Sequence, residues 1–252
     1  MKVLTTNDIN KIENKLKNNK KLKRSEKVFY QGENGLLKNI NFLRTESELN
    51  EYVKCSNDII YFIRNYCLNE LYDYQIKILN SFVNNRFNIT AYSRCCDYEY
   101  KELISLWVIW LIIFSEKKIL SIEDKIMENV ELYKTIKKYY KIIPYFLKHN
   151  IITINSKEIK LSNGSCVLFS NYSATIIDKI DVFLFDNFSK IKSSVINKIY
   201  QEIFMLTTTD SSKQIKIGST INGNNLFYKI LKDAEENNNL YKSNRIYWYD
   251  NP

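Results

Sequence analysis

Asn88-Ile89-Thr90-Ala91-Tyr92, then Ser93-Arg94-Cys95-Cys96-Asp97-Tyr98-Glu99, then the apolar run from Tyr100 to Phe114 decide the fold. The first five residues read as a strand, the next seven as a polar connection, and the run as a buried helix. The same alternation continues downstream. Lys118 to Ile122 reads as a strand and Ile126 to Tyr139 as a helix, and Pro144 opens a short helical turn. Ile151 to Ile154, Ile159 to Leu161 and Cys166 to Ser170 form a meander, with Ser162-Asn163-Gly164-Ser165 as a hairpin turn. The strand Val182 to Phe185 ends in Asp186. A helix from Val195 to Met205, a strand from Gln214 to Gly218, a helix from Asn225 to Glu236 and a strand from Arg245 to Tyr249 follow. Repeated strand–helix–strand units predict an α/β domain with a mainly parallel sheet covered on both faces.

Upstream, Glu46 to Val53, Asp58 to Cys67 and Tyr74 to Asn84 carry helical patterns. Met1 to Arg24 reads as a basic amphipathic helix, with Ile9, Ile12 and Leu16 on one side, and Gly32 and Gly35 mark a loop. The expected division is a basic, partly helical extension over 1–57 and a single α/β domain over 58–252.

A chain of 252 residues with 45% hydrophobic and 14% aromatic content buries a sizeable core and is not disordered. Its formal charge is +9, yet only 6 of its 37 basic residues are Arg. Such Lys, Asn and Ile usage fits AT-rich coding, while a surface this basic still attracts polyanions. Lys15, Lys17, Lys20, Lys21 and Lys23 are the candidate DNA-contacting residues of the amino-terminal helix. Five cysteines, Cys55, Cys67, Cys95, Cys96 and Cys166, have no metal-knuckle spacing and point to a reducing compartment. With His149 as the only histidine, zinc sites and histidine-based triads are excluded. The longest apolar run, Leu103 to Phe114, falls short of the ~20 residues of a membrane span. A soluble, cytoplasmic protein without a membrane partner is expected.

Ligands of such sheets sit at the carboxyl ends of strands, here after Tyr92, Phe185 and Gly218. Val182-Phe183-Leu184-Phe185-Asp186 has the form of a Walker B strand, whose carboxylate holds the magnesium of a nucleotide, and, more often, of an ordinarily capped core strand. Gly218-Ser219-Thr220-Ile221-Asn222-Gly223 reads as a strand end and tight turn, suited to sensing a phosphate or to plain capping. With 5 Gly in the whole chain, no glycine-rich phosphate loop is present. Cys95-Cys96 reads as two small thiols, and Tyr139-Tyr140 and Tyr247-Trp248-Tyr249 as packing residues, with base stacking as the alternative. His149 reads as a helix-end cap.

Leu71-Tyr72-Asp73-Tyr74-Gln75, Asn85-Arg86-Phe87-Asn88-Ile89, Ser93-Arg94, Leu161-Ser162-Asn163-Gly164-Ser165, the strand ending at Asp186, Ser219-Thr220-Ile221-Asn222-Gly223 with Leu226-Phe227-Tyr228, and Tyr247-Trp248-Tyr249 occur in that order. Together they resemble the ATPase half of the large terminase subunits of tailed phages, in the T-even-like branch. The resemblance implies a P-loop NTPase-like three-layer sandwich with a small helical lead-in and a β-hairpin insertion, bound to ATP and Mg²⁺. It further implies an oligomeric ring that works with double-stranded DNA, a portal protein and other terminase subunits. By the same resemblance Tyr74 and Gln75 border the adenine, and Ser93, Arg94, Asp97, Tyr98 and Glu99 occupy the phosphate loop. Asp186 is the magnesium position, and Ser219, Thr220, Asn222 and Gly223 are the coupling turn. The family's nuclease half is not expected in this sequence.

Against that pattern the chain departs at the chemistry. Where the family has Gly and a Lys-Ser or Lys-Thr step, Asp97, Tyr98 and Glu99 stand. A carboxylate ~4 Å from a phosphate charge costs about 1 kcal/mol in water and about 4 kcal/mol at a dielectric of 20. Asn187 replaces the glutamate that deprotonates the attacking water, a loss of roughly a hundred- to ten-thousand-fold in rate. Ile221 replaces a family proline. The expected protein is a motor-family domain without competent catalysis, acting in binding or assembly. The alternatives are an active ATPase with a phosphate site supplied by Lys101 or a neighbour's lysine and a separate nuclease, or a basic DNA-binding module.

Overall fold

The computed structural model describes residues 46–68, 70–123, 129–169 and 177–250. The chain divides into two units, Met1–Val53 and Lys54–Pro252. The amino-terminal lysines and the predicted first helix lie outside the described residues, as do Gly32 and Gly35.

Helix α1 spans Glu46–Asn57, α2 Ile59–Tyr66 and α3 Asp73–Asn84. Asp58 stops the first and starts the second: its carboxylate accepts from the backbone N–H groups of Ile60 and Tyr61 at 2.8 and 3.0 Å. The α/β part follows in the predicted order: β1 Phe87–Tyr92, α4 Asp97–Phe114, β2 Lys118–Ile122, α5 Asn129–Ile142, β3 Ile151–Ile154, β4 Glu158–Leu161, β5 Cys166–Phe169, β6 Val182–Phe185, α6 Ser193–Thr209, β7 Gln214–Ser219, α7 Leu226–Glu235 and β8 Lys242–Ile246. Within the described residues no helix is long and apolar enough to cross a membrane.

The strands form one sheet in the order β3-β4-β5-β2-β6-β7-β1-β8. The pairs β5–β2, β2–β6, β6–β7, β7–β1 and β1–β8 are parallel, and β4 is antiparallel to both its neighbours. The meander is therefore an edge extension of a parallel sheet, with Gly164 at φ 95° in its turn. Two element boundaries matter for function. Strand β8 begins at Lys242 and ends at Ile246, so Tyr247-Trp248-Tyr249 form an exposed turn instead of the expected strand. Helix α4 begins at Asp97, three residues earlier than its apolar run suggests.

Strand alternation assigns the two faces. Phe87, Ile89, Phe183, Phe185, Ile215 and Ile217 pack with α6 and α7 through Ile196, Ile203, Phe227 and Leu231. Residues one position out of phase face α3 and α4, where Asn88 donates to Ser81 Oγ at 2.8 Å. There Lys216 Nζ donates to the carbonyls of Phe82 and Asn85 and to Asn88 Oδ1, and lies 5.1 Å from the Trp107 ring centroid. A buried lysine thus closes the carbonyl end of α3. Arg86 does the same for α6, donating to Thr207 O at 2.6 Å, Asp210 O at 2.8 Å and Lys213 O at 3.1 Å.

Candidate functional site

The carboxyl ends of β1, β7 and β6 converge, with β7 between the other two. Only Ser93 to Cys96 separate β1 from α4, and they form a tight turn: Ser93 N–H donates to Ile246 O at 3.0 Å and Cys96 N–H to Ser93 O at 2.8 Å. None of these residues has a positive φ, so the αR–αL alternation of a phosphate-cupping nest is missing from the turn. Asp97 and Glu99, expected in a loop, are first-turn acids of α4, where the helix dipole favours negative charge.

Tyr100 is fully buried and fills the space beside this turn. Its ring stacks on Tyr92 with centroids 4.7 Å apart and planes 21° apart. It also lies on the backbone of Gly218, so closely that a Cβ there would overlap the phenol. Tyr92 in turn donates its hydroxyl proton to Asp186 Oδ1 at 3.0 Å.

Asp186 is buried and already engaged. Besides Tyr92, the Asn187 N–H donates to Oδ1 at 2.8 Å, and Lys101 Nζ lies 3.9 Å from Oδ2. Lys101 also meets Asp97 at 3.1 Å and Glu131 at 2.9 Å. Burial pushes the Asp186 carboxyl up to about 6 against the downward pull of Lys101. For Lys101, burial works against the charge, but Asp186, Glu131 and Asp97 outweigh it and raise the pKa. Asn187 is buried in a left-handed conformation at φ 51°, and its Oδ1 has no hydrogen-bond partner among the described residues.

The residues expected to form a coupling turn are latched to the segment after Asp186. Ser189 N–H donates to Ser219 Oγ at 2.9 Å, Ser219 Oγ donates to Ser189 Oγ at 2.7 Å, and Ser189 Oγ donates to Thr220 O at 2.8 Å. Gly223 supplies a φ of 69° to the turn, and Asn222 O accepts from Asn225, the cap of α7. Gln75 is buried, and its Oε1 accepts from Tyr72 N–H at 2.9 Å, which makes it a capping residue of α3. Tyr74 stacks on Tyr72, and burial pushes its phenol up to about 12. Tyr98 is exposed. Tyr139 and Tyr140 are buried and bonded to Glu102 and His149 O, a packing arrangement, and His149 Nε2 contacts Ile113 O at 2.9 Å near the end of α4.

The architecture that carries these residues recurs in solved phage proteins. It aligns with the large terminase of bacteriophage HK97 at a TM-score of 0.61 and 14% identity, over 77% of this chain and 43% of that one. It also aligns with the large terminase of a thermophilic bacteriophage at a TM-score of 0.52 and 13% identity, over 69% and 46%. The chain has the large-terminase fold. The large terminase ATPase domain of Thermus phage P74-26 aligns at a TM-score of 0.50 and 13% identity, over 70% of this chain and 81% of that domain. The chain thus spans under half the length of the first two terminases. No protein-family profile matches the sequence.

On the terminase fold, the residues present do not fit Mg²⁺ and ATP in the family pose. Asp186 Oδ1 already accepts from Tyr92 and from the Asn187 N–H, and a metal at Oδ2 would compete with the Lys101 ammonium 3.9 Å away. The tight turn over 93–96 has no nest and is followed by Asp97 and Glu99 where a triphosphate would need donors. Lys101, the lysine suited to replace the missing phosphate-loop cation, is held among three carboxylates. Sequence reasoning missed both Tyr100 and the Lys101 cluster, whose members come from α4, α5 and the end of β6. It also missed a cavity of about 350 Å³ on the far side of Tyr92, between the ends of β1, β7 and β8.

Proposed function

We propose that this chain is a terminase-like component of viral DNA packaging whose ATPase domain has lost hydrolysis and serves in binding or assembly of the packaging machinery. The observation that supports the reading is the tight turn after β1, which has no positive-φ nest, runs straight into Asp97 and Glu99, and is packed from beneath by the Tyr92–Tyr100–Gly218 stack. Asn187 adds to it, because an amide does not take a proton from water. A fold outlives the chemistry it carried, since core burial and site chemistry depend on different residues. In this reading the partners are double-stranded DNA, a portal protein and intact terminase subunits, with oligomers formed through them.

The test adds the purified chain to a reconstituted packaging reaction containing an intact terminase, procapsids and linear duplex DNA. A dose-dependent change in DNA packaged, together with co-migration with terminase or portal on sizing, is the expected result. No effect on packaging and no association with either component overturns the reading.

A further inference from the structure

The cavity between the ends of β1, β7 and β8 is lined by Ser93, Arg94, Lys190, Thr220, Asn222 and Tyr247 among others, and by no Asp or Glu. Arg245 also lines it but is held by Glu235 through two bonds of 2.5 and 3.0 Å. No carboxylate among the described residues pairs with Arg94 or Lys190. Two uncompensated cations, three hydroxyls and an amide therefore line one concave space. That is the donor set of a phosphodiester contact.

At its rim the turn after β8 presents aromatic rings. Tyr247 and Tyr249 are parallel, with centroids 5.0 Å apart and planes at 6°, and Trp248 stands edge-on to Tyr249 at 5.6 Å. Trp248 is 69% exposed and Tyr249 61%. The turn is pinned by Asp250, whose Oδ2 accepts from Tyr247 N–H at 2.8 Å and whose own N–H donates to Tyr247 O at 3.1 Å. Exposed aromatic rings on a fixed turn cost little entropy to use and stack on bases of any sequence.

We infer that this cavity and its aromatic turn bind a single strand of nucleic acid, with a backbone phosphate between Arg94 and Lys190 and unpaired bases stacked on Tyr247, Trp248 and Tyr249. Two features favour a strand over a free nucleotide. The aromatic turn carries more rings than one base needs, and it extends past the cavity. A duplex hides its base faces and so has nothing to offer the rings. The inference goes beyond the packaging role and does not require it.

The test uses the full chain, with a ten-nucleotide oligothymidylate, AMP and a duplex of equal length as probes. Binding is read by anisotropy and by quenching of Trp248, which is exposed whereas Trp107 is buried and Trp110 half-buried. The oligothymidylate is expected to bind more tightly than AMP or the duplex. Trp248→Ala is expected to weaken it roughly 5- to 150-fold, and Trp248→Phe far less. Arg94→Ala with Lys190→Ala is expected to lower the slope of log K against log salt by about 0.7, since the two cations share one backbone phosphate and each phosphate neutralised on a single strand contributes about 0.7. The substituted positions lie on the surface, so unchanged thermal melting checks the fold. Equal binding of AMP or duplex, or strand binding that neither set of variants alters, overturns the inference. The assay involves neither packaging nor hydrolysis, so its failure is distinguishable from failure of the packaging role.

Discussion

The phenol of Tyr100 rests on the Cα of Gly218, in the volume that any side chain at position 218 would need. Position 218 therefore accepts only glycine while Tyr100 is present. Gly218→Ala is expected to destabilise the fold by about 1–3 kcal/mol, the range for overpacking a tight core. In a Tyr100→Ala background the same substitution is expected to cost much less. Urea unfolding of the two single variants and the double variant measures this coupling, and additive effects would mean that the two residues do not share the space.

Lys101 neutralises a cluster that is otherwise wholly acidic. Lys101→Met leaves Asp186 buried beside Asp97 without a cation, and a loss of about 3–5 kcal/mol at neutral pH is expected. Acidification should return part of it, because Asp186 then takes up a proton. Chemical denaturation of the variant near pH 5 and pH 7.5 tests this, and an equal loss at both values would contradict it.

Asp186 itself gives the native protein a pH dependence of unusual sign. Its carboxyl titrates at about 6 in the fold against an ordinary 3.8, so the native state holds the proton more tightly between those values. This group's contribution is greatest below about pH 4 and is lost as pH rises through about 6, by about 3 kcal/mol at most. Asp186→Asn keeps an acceptor for Tyr92 and removes the titration. The stability of the wild type relative to this variant should fall as pH rises from about 4 to about 6.5, and a flat difference would count against the assignment.

The serine latch joins the segment after β6 to the end of β7. Ser219→Ala removes the acceptor of Ser189 N–H and the partner of its hydroxyl, so a loss of about 1–2 kcal/mol is expected. Adding Ser189→Ala should cost little more, since both residues belong to one chain of hydrogen bonds. Thermal melting of the three variants reads this non-additivity directly.

Much of the fold is legible in the sequence because it rests on local periodicity. The apolar run of α4, the hairpin turn at Asn163-Gly164 and the strand ending at Asp186 all carry their own signals. The start of α4 is harder to place, because the family resemblance assigns Asp97 and Glu99 to a loop. Their suitability as first-turn acids is the cue that marks the true start. Strand β8 is obscured by Tyr247-Trp248-Tyr249, since aromatic residues favour strands. As the edge strand beside β1, it instead uses Lys242, Ser243, Asn244 and Arg245.

At the site, Asp186, Asn187 and the turn after β7 stand out, since each lies at the end of a recognisable strand. The Tyr92–Tyr100–Gly218 stack, the three carboxylates around Lys101 and the cavity beside Arg94 and Lys190 do not. Each is assembled from elements far apart in sequence, and no spacing encodes it. Gln75 is legible as a residue but not in its role, because one bond to Tyr72 commits it to capping α3.

Equilibrium binding of labelled ATP with Mg²⁺, with turnover followed in the same sample, bears most directly on the proposed loss of nucleotide chemistry. No saturable binding in the micromolar range and no hydrolysis above the protein-free rate is the result expected. Motor-like turnover that disappears in Asp186→Ala would contradict it, for it would mean that Asp186 leaves Lys101 to hold a metal and that the turn before Asp97 accommodates a triphosphate.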